Sequence, residues 1–506
     1  MDWIKKSSPA FFYSFFAVFS SFILNFLTQY ILIRSFPTGE FAYYSFGSNL
    51  QMILLMIAGF GVGTTIIKEL SSKYQGKDRI HKLISAGFLL TVIISSIPLI
   101  FTILLSNFFE TLYDMNNLGI VVVQITIFTF CINIETYFES CFRGLQNFKN
   151  YFLINIILNI SKLFIVLTVF FFPISIINII LYLMIYSIIH SSLLVIFINK
   201  KYQLLNTIRF LQIKDLKSFF NFSIIVFFPG LFAYAYQRFN FFIIGIYVSA
   251  SGIAIYGTTL LIVDILSIPI LVLSVVILPT ISKYMNIKDI GQKNTEYLFN
   301  FVIKYGLLMM IPFVTISWLL VDNGILSILG EDYSAIIHYI KPFLIYLNIK
   351  IVGVAGVNFL YAANQPKTAL KLTGITACVS VISSYLFIPY FLIDAAIYSI
   401  VIPHSVYILL TLSIVKRRNK IIIPRATIFF IIKIIISTIL SYFLTIMIFS
   451  LFLKNMEQII SIILLFLVFG TLFILFTIFF KIINKKMIEF MIFGIKRIFS
   501  TQRQYQ

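Results

Sequence analysis

Three carboxylates and six cations interrupt stretches that are otherwise almost wholly apolar, and they are the residues with chemistry to offer. The acids are Glu135, Glu139 and Asp264; the cations are Lys162, Arg238, Lys304, Lys341, Lys350 and Lys433. If those stretches cross a bilayer, each ionisable group costs at least roughly 2.5–3.5 kcal/mol at mid-membrane, so one that persists lines a wet cavity, finds a partner or reaches for the interface. Glu135 and Glu139 are four apart, which puts both on one helix face. Like-charge proximity and desolvation there suit them to carry a coupling ion, H+ or Na+. The alternative pairs Glu139 with Arg143, also four residues on. Asp264 is placed either to neutralise Arg238 across a hairpin of two successive segments or to bind the coupling cation itself. Lys162, Arg238 and Lys350 suit an anionic head group, the guanidinium as a fork on phosphate and the ammoniums as point charges; ion pairing or packing is the competing use. Lys304, Lys341 and Lys433 lie within two turns of a segment end, where a four-carbon stem reaches the interface. Pro229, followed by Gly230, removes an amide donor inside a segment and is the candidate hinge.

Catalytic readings fare poorly. His81 falls in a loop, while His190, His338 and His404 are scattered without metal-ligand spacing and read as structural or interfacial histidines. No Gly-rich phosphate loop ending in Gly-Lys-Ser/Thr appears, so ATP is not bound in that way. Cys131, Cys141 and Cys378 make no paired spacing and are expected as reduced thiols. No enzyme activity, metal or cofactor is expected, and energy would come from an ion gradient or a downstream sink.

The elements that must position these charges follow from composition. Of 506 residues, 60% are apolar and 11% charged, against roughly 45–50% and 25% in an ordinary soluble domain. At about 20 residues per crossing, fourteen segments use nearly the whole length: 10–33, 41–66, 83–105, 119–141, 151–172, 175–198, 218–246, 252–279, 297–321, 335–361, 368–388, 391–415, 427–453 and 458–480. An all-α, polytopic membrane protein is therefore expected. Its net charge of +20 would suggest nucleic acid in a soluble chain, but the distribution says otherwise. With the N-terminus inside, the tails and the loops 67–82, 142–150, 199–217, 280–296, 362–371 and 416–426 hold 30 of the 38 Lys and Arg. The opposite loops hold only Arg34 and Lys454, beside eight acids. By the positive-inside rule both termini are cytoplasmic, and no nucleic acid partner is expected. Lys162 and Lys350 then lie about eleven residues, or roughly 16 Å, from the inner ends of their segments, near the midplane.

Weak internal matches suggest a repeat. Residues 38–44 align with 250–256, Ser72-Lys73-Tyr74 recurs as Ser282-Lys283-Tyr284, and Gln146-Asn147-Phe148-Lys149 echoes Asn364-Gln365-Pro366-Lys367. Six spans plus six imply a parallel repeat, with two bundles facing a shared cavity. The expected organisation is a six-helix bundle over 1–217, a second over 218–415, two added helices over 416–482 and a basic amphipathic cytoplasmic tail over 483–506.

Four motifs carry a family resemblance: Pro37-Thr38-Gly39-Glu40-Phe41-Ala42-Tyr43-Tyr44, Gly61-Val62-Gly63-Thr64-Thr65-Ile66-Ile67-Lys68, Leu329-Gly330-Glu331-Asp332-Tyr333 and Tyr361-Ala362-Ala363-Asn364-Gln365-Pro366-Lys367. In order and spacing they resemble the O-antigen and capsule repeat-unit flippases of the multidrug/oligosaccharidyl-lipid/polysaccharide (MOP) exporter superfamily. Ala42 stands where that family often has Gly, and Lys68 where Arg is common. The resemblance implies a bacterial inner-membrane flippase that moves a polyprenyl-diphosphate-linked oligosaccharide between leaflets by alternating access. Its partners would be that lipid-linked substrate, membrane lipids and a polysaccharide polymerase machinery. A multidrug exporter of the superfamily would be expected to carry more acids than bases in its cavity. A peptidoglycan lipid-precursor flippase resembles a pattern with arginines in the first two spans, whose interiors have none here. A polysaccharide polymerase or ligase resembles chains with a large external loop, and no external loop here exceeds about fifteen residues.

Overall fold

The structure, a computed structural model, describes residues 2–71, 76–208, 211, 213–270, 291–362, 365–419, 423–453 and 458–482. The expected tail over 483–506 and the Ser72–Tyr74 and Ser282–Tyr284 repeat segments lie outside the described residues. Every regular element among the described residues is helical, as the apolar runs predict: in hydrocarbon, a helix satisfies its backbone groups internally. Among the described residues, twelve helices are long and apolar enough to cross a membrane. The chain divides into two compact units, residues 1–260 with 373–400 and residues 261–372 with 401–506.

The first unit opens with α1 (Asp2–Ser35), α2 (Thr38–Gly59), α3 (Val62–Ser71), α4 (Lys77–Leu104), α5 (Ser106–Tyr113) and α6 (Leu118–Gly144). It continues through α7 (Phe148–Leu167), α8 (Ile176–Tyr202), α9 (Leu204–Ile208), α10 (Ile213–Tyr247) and most of α11 (Ala250–Leu266). Helix α6 is its axle, packed by α2, α3, α4, α5, α7 and α8. Phe138 and Phe142 of α6 are buried with Ile66, Ile84, Phe88 and Ile198 of the surrounding helices, and Phe88 stacks on Phe138 at 5.5 Å. At the N-terminal end of α6, the Glu110 carboxylate accepts the backbone N–H groups of Asn117 (3.0 Å) and Gly119 (3.2 Å). An acid at a helix N-terminus satisfies free donors and complements the dipole.

The expected span 41–66 is interrupted. Phe60 (φ 41°) and Gly61 (φ 74°) are left-handed, so α2 ends at Gly59 and α3 restarts at Val62. The Gly-Val-Gly motif marks this break, where Thr65 of α3 and Ser223 of α10 share a 2.9 Å hydrogen bond. Helical periodicity continues through both halves, which is why the break escapes an apolar-window reading.

The second unit contains α12 (Gly291–Leu329), α13 (Ile336–Ala362), α15 (Arg425–Ile448) and α16 (Gln458–Phe479). Helix α12 packs against α13, α15 and α16, with Ile316, Leu319, Leu465 and Phe469 in a buried cluster. The Leu329–Tyr333 motif is a turn between α12 and α13: Gly330 takes φ 102°, a conformation open to glycine, and Tyr333 is buried beneath it. The long α14 (Pro366–Asn419) contributes to both units. Two spans are expected there, and the backbone leaves helical geometry at Leu392 (φ 49°, ψ −126°), close to the expected junction.

Candidate functional site

Helix α6 is polar along its buried length, with Gln124, Thr126, Thr129, Asn133, Glu135, Glu139 and Ser140 all enclosed. The threonines return their hydroxyls to their own helix, each 2.6 Å from the carbonyl four residues back, so the carboxylates are what neighbouring helices must answer. Glu135 is 0% exposed, and its Oε1 lies 2.9 Å from His190 Nδ1 on α8. The imidazole in turn stacks on Tyr186 at 5.6 Å. Glu139 Oε1 accepts from Asn155 Nδ2 of α7 at 3.1 Å. Asn155 also hydrogen-bonds Ser21 of α1, Asn159 donates to Ser21 at 3.2 Å, and Asn25 donates to Asn159 at 3.1 Å.

Lys162 joins the same cluster. Its ammonium lies 5.4 Å from the Phe128 ring centroid and interacts electrostatically with both Glu135 and Glu139. Arg143, the alternative partner of Glu139, donates to Ser140 Oγ at 3.0 Å and lies over Tyr151 at 5.3 Å, acting on Glu139 through its field. The structure thus brings together Glu135, Glu139 and Lys162, three of the residues singled out in the sequence.

Arg238 is elsewhere in the first unit. Only 7% exposed on α10, it directs Nη1 to Asn49 Oδ1 of α2 at 3.5 Å. Asn49 is itself anchored to the Ser45 carbonyl at 2.9 Å. Beside it, Asn240 donates to Tyr256 Oη at 2.7 Å and to the Ala396 carbonyl at 2.6 Å. Pro229 lies inside α10, which is helical on both sides of it.

Lys350 belongs to the second unit. Its Nζ donates to Ser267 Oγ at 3.2 Å and stands 5.9 Å from the Tyr346 ring centroid. The Tyr346 hydroxyl hydrogen-bonds Nδ1 of the buried His404, which stacks on Tyr407 at 5.3 Å. Asp264, exposed on α11, lies one turn before Ser267. The other three cations have ordinary partners. Lys304 lies 5.7 Å from the Phe430 ring and Lys433 donates to the Phe480 carbonyl at 3.1 Å. Lys341 pairs with Asp322 at 2.9 Å, both about one-third exposed. Solvent screening keeps such a pair at about 0–1 kcal/mol, so Asp322→Asn is expected to change stability by no more than about 1 kcal/mol in detergent thermal unfolding.

Two residues of the α6 cluster were not singled out for function by sequence reasoning. His190 and Glu135 are 55 positions apart, and no local spacing relates them. Asn155 did leave a signal: with Asn159 and Lys162 it repeats at intervals of four and three, one polar stripe on an apolar helix. Among the described residues, no group of three or more His, Cys, Asp or Glu side chains is arranged to hold a metal ion.

A family model described as polysaccharide biosynthesis protein matches residues 10–285, more than half of the chain and all of the α6 cluster. The chain belongs to this family. No curated protein matches the sequence. Its fold is similar to that of the lipid II flippase MurJ in an inward closed conformation, at 16% identity and a TM-score of 0.73, with 93% of this chain and 99% of that chain covered. It is also similar to an inward-facing multidrug resistance MATE family transporter of the MOP superfamily, at 14% identity and a TM-score of 0.68, covering 79% and 94%. A third likeness is to a MOP superfamily transporter from Pyrococcus furiosus for which reverse polarity of the binding pocket suggests a different function; it has 13% identity, a TM-score of 0.54 and coverage of 80% and 93%. The chain is thus a multi-pass membrane protein whose fold is similar to those of the lipid II flippase MurJ and a MATE family transporter.

Proposed function

We propose that this protein is a flippase that carries polyprenyl-diphosphate-linked oligosaccharide repeat units from the cytoplasmic to the external leaflet of the bacterial inner membrane, for O-antigen or capsule assembly. The observation that carries the reading is family membership over residues 10–285, in a chain whose intramembrane cations outnumber its intramembrane acids. A sugar-diphosphate head needs a hydrated, cationic passage, while its isoprenoid tail stays in lipid. Arg238, beside Asn49, and Lys350, beside Ser267, are the proposed head-group contacts. A guanidinium forks onto phosphate oxygens and an ammonium serves as a point charge. Transport proceeds by alternating access, with the termini cytoplasmic as the positive-inside distribution indicates, and a polysaccharide polymerase takes the product outside. Among its fold relatives, one is named a lipid II flippase, which supports a lipid-linked cargo over a soluble one.

The test is leaflet exchange in proteoliposomes containing only this protein, read as accessibility of the sugar to an external glycan-cleaving enzyme. Exposure of a polyprenyl-diphosphate oligosaccharide above empty liposomes is the expected result. Exposure of lipid II alone would move the assignment to peptidoglycan precursors, and organic-cation efflux without sugar exposure would make the protein a drug exporter.

A further inference from the structure

The Glu135–His190 contact joins two titratable groups from different helices deep in the first unit. Glu135 is nine residues from the inner end of α6, and His190 twelve from that of α8. At about 1.5 Å per residue these are depths of roughly 14 and 18 Å, near the middle of hydrocarbon about 30 Å thick. Glu135 Oε1 meets His190 Nδ1 at 2.9 Å, while Oε2 is buried and has no hydrogen-bond partner among the described residues. A buried carboxylate with one oxygen unanswered is expensive to keep ionised unless a cation compensates it. The acid's direct partner is the one side chain whose ordinary titration falls between pH 5 and 8.

We propose that Glu135 and His190 form a single proton-binding site and that, on the transporter reading above, this pair carries the coupling ion, which is H+. In the unloaded state, neutral His190 donates its Nδ1–H to Glu135 Oε1. Loading adds one proton at Nε2, giving an imidazolium that neutralises the carboxylate; release returns the same proton, and no other bond changes. His190 retains 14% side-chain exposure against none for Glu135, so the imidazole is the way in. Sodium fits this pair poorly, because a hard cation wants several oxygen ligands and the contact here is an imidazole nitrogen.

The surrounding charges are compatible with one proton. Glu139 and the Cys131 thiol on α6, Lys162 on α7 and Tyr186 on α8 interact electrostatically within the cluster. Arg143 acts on Glu139 from the inner end of α6. The charged residues of α2, α3 and α4 sit at their ends, Glu40, Lys68, Glu69 and the 77–82 segment, and Glu110 of α5 caps α6. Lys162 is a fixed cation shared between two carboxylates, whereas the cation facing Glu135 directly is conditional on pH.

The first experiment needs no substrate: potentiometric titration of the purified full-length protein in detergent between about pH 5 and pH 8. Glu135→Gln and His190→Gln are each expected to take up about one proton fewer than wild type across the His titration range, and the double variant no fewer than either single one. His338→Gln, at a histidine of the second unit outside the α6 cluster, serves as the control. Uptake equal to wild type in either single variant, or additive loss in the double, overturns the shared site. If Glu135→Gln does not yield monodisperse protein, Glu135→Ala with His190→Asn provides the same comparison.

The second experiment imposes gradients on the leaflet-exchange assay. Wild type should respond to a pH gradient and not to sodium, and Glu135→Gln should show no response to the pH gradient. A sodium response, or an intact pH response in Glu135→Gln, overturns H+ coupling through this pair. Absence of exchange in wild type overturns the transporter reading instead, and the titration result would stand by itself.

Discussion

Lys350→Ala is expected to lower leaflet exchange by about 10- to 100-fold, the rate equivalent of the roughly 1.5–3 kcal/mol contributed by a hydrogen bond to a charged group, with protein abundance unchanged. Lys350→Arg is expected to retain part of the activity. The expectation follows from how the ammonium is held. Ser267 Oγ takes one of its three donors at 3.2 Å, and the Tyr346 ring lies 5.9 Å away. A serine hydroxyl and an aromatic face orient the ammonium. His404 fixes the tyrosine through its hydroxyl, so Tyr346→Phe keeps the ring and should cost less than Lys350→Ala. Equal exchange in wild type and Lys350→Ala, measured at matched protein in proteoliposomes, would remove Lys350 from the mechanism.

The largest effect on stability is expected at Gly61. Its φ of 74° is left-handed, and a Cβ added there would lie 2.6 Å from the Ser223 carbonyl oxygen and 3.2 Å from Val226 Cβ. Left-handed backbone costs an L-residue about 1–2 kcal/mol, and forcing atoms into a packed contact about 1–3 kcal/mol more. The neighbour is helical backbone on α10, which cannot rotate away as a flexible side chain would. Gly61→Ala should therefore destabilise the first unit by at least about 2 kcal/mol, read as a lowered thermal midpoint in detergent. Gly39→Ala is the control, because a Cβ there meets nothing within 4 Å. Equal midpoints for the two variants would show that the α2–α3 break yields easily.

The helical membrane fold was legible because lipid imposes it: apolar runs of about 20 residues leave few alternatives. Breaks inside those runs were not, since Phe60 and Gly61 change the path of the backbone without changing its hydropathy. The charges divided in the same way. Glu135, Glu139 and Lys162 declare themselves as ionisable residues in apolar surroundings, and the spacing of the two acids correctly places them on one face of α6. What each one touches depends on which of six surrounding helices lies against that face. Glu139 meets Asn155 although Arg143 is one turn away, and Arg238 meets Asn49 from 189 positions earlier. Local spacing contains no information about such partners. Two of the four family motifs mark changes in the backbone path: Gly61 the α2–α3 break and Gly330 the turn between α12 and α13.

The enclosure of α6 bears on which membranes the protein can work in. Along this helix only Ile120, near its N-terminal end, is exposed, Val123, Ile127, Phe130, Thr136 and Arg143 are partly so, and the remainder is buried. Thickening or thinning of the bilayer is met by tilt and adjustment of helices that border lipid. A helix with so little exposed surface feels that mismatch least. Glu135, Glu139 and their partners should hold their mutual geometry as acyl chains lengthen or shorten, while helices such as α16, with Ile474, Leu475 and Phe479 turned outward, take up the change.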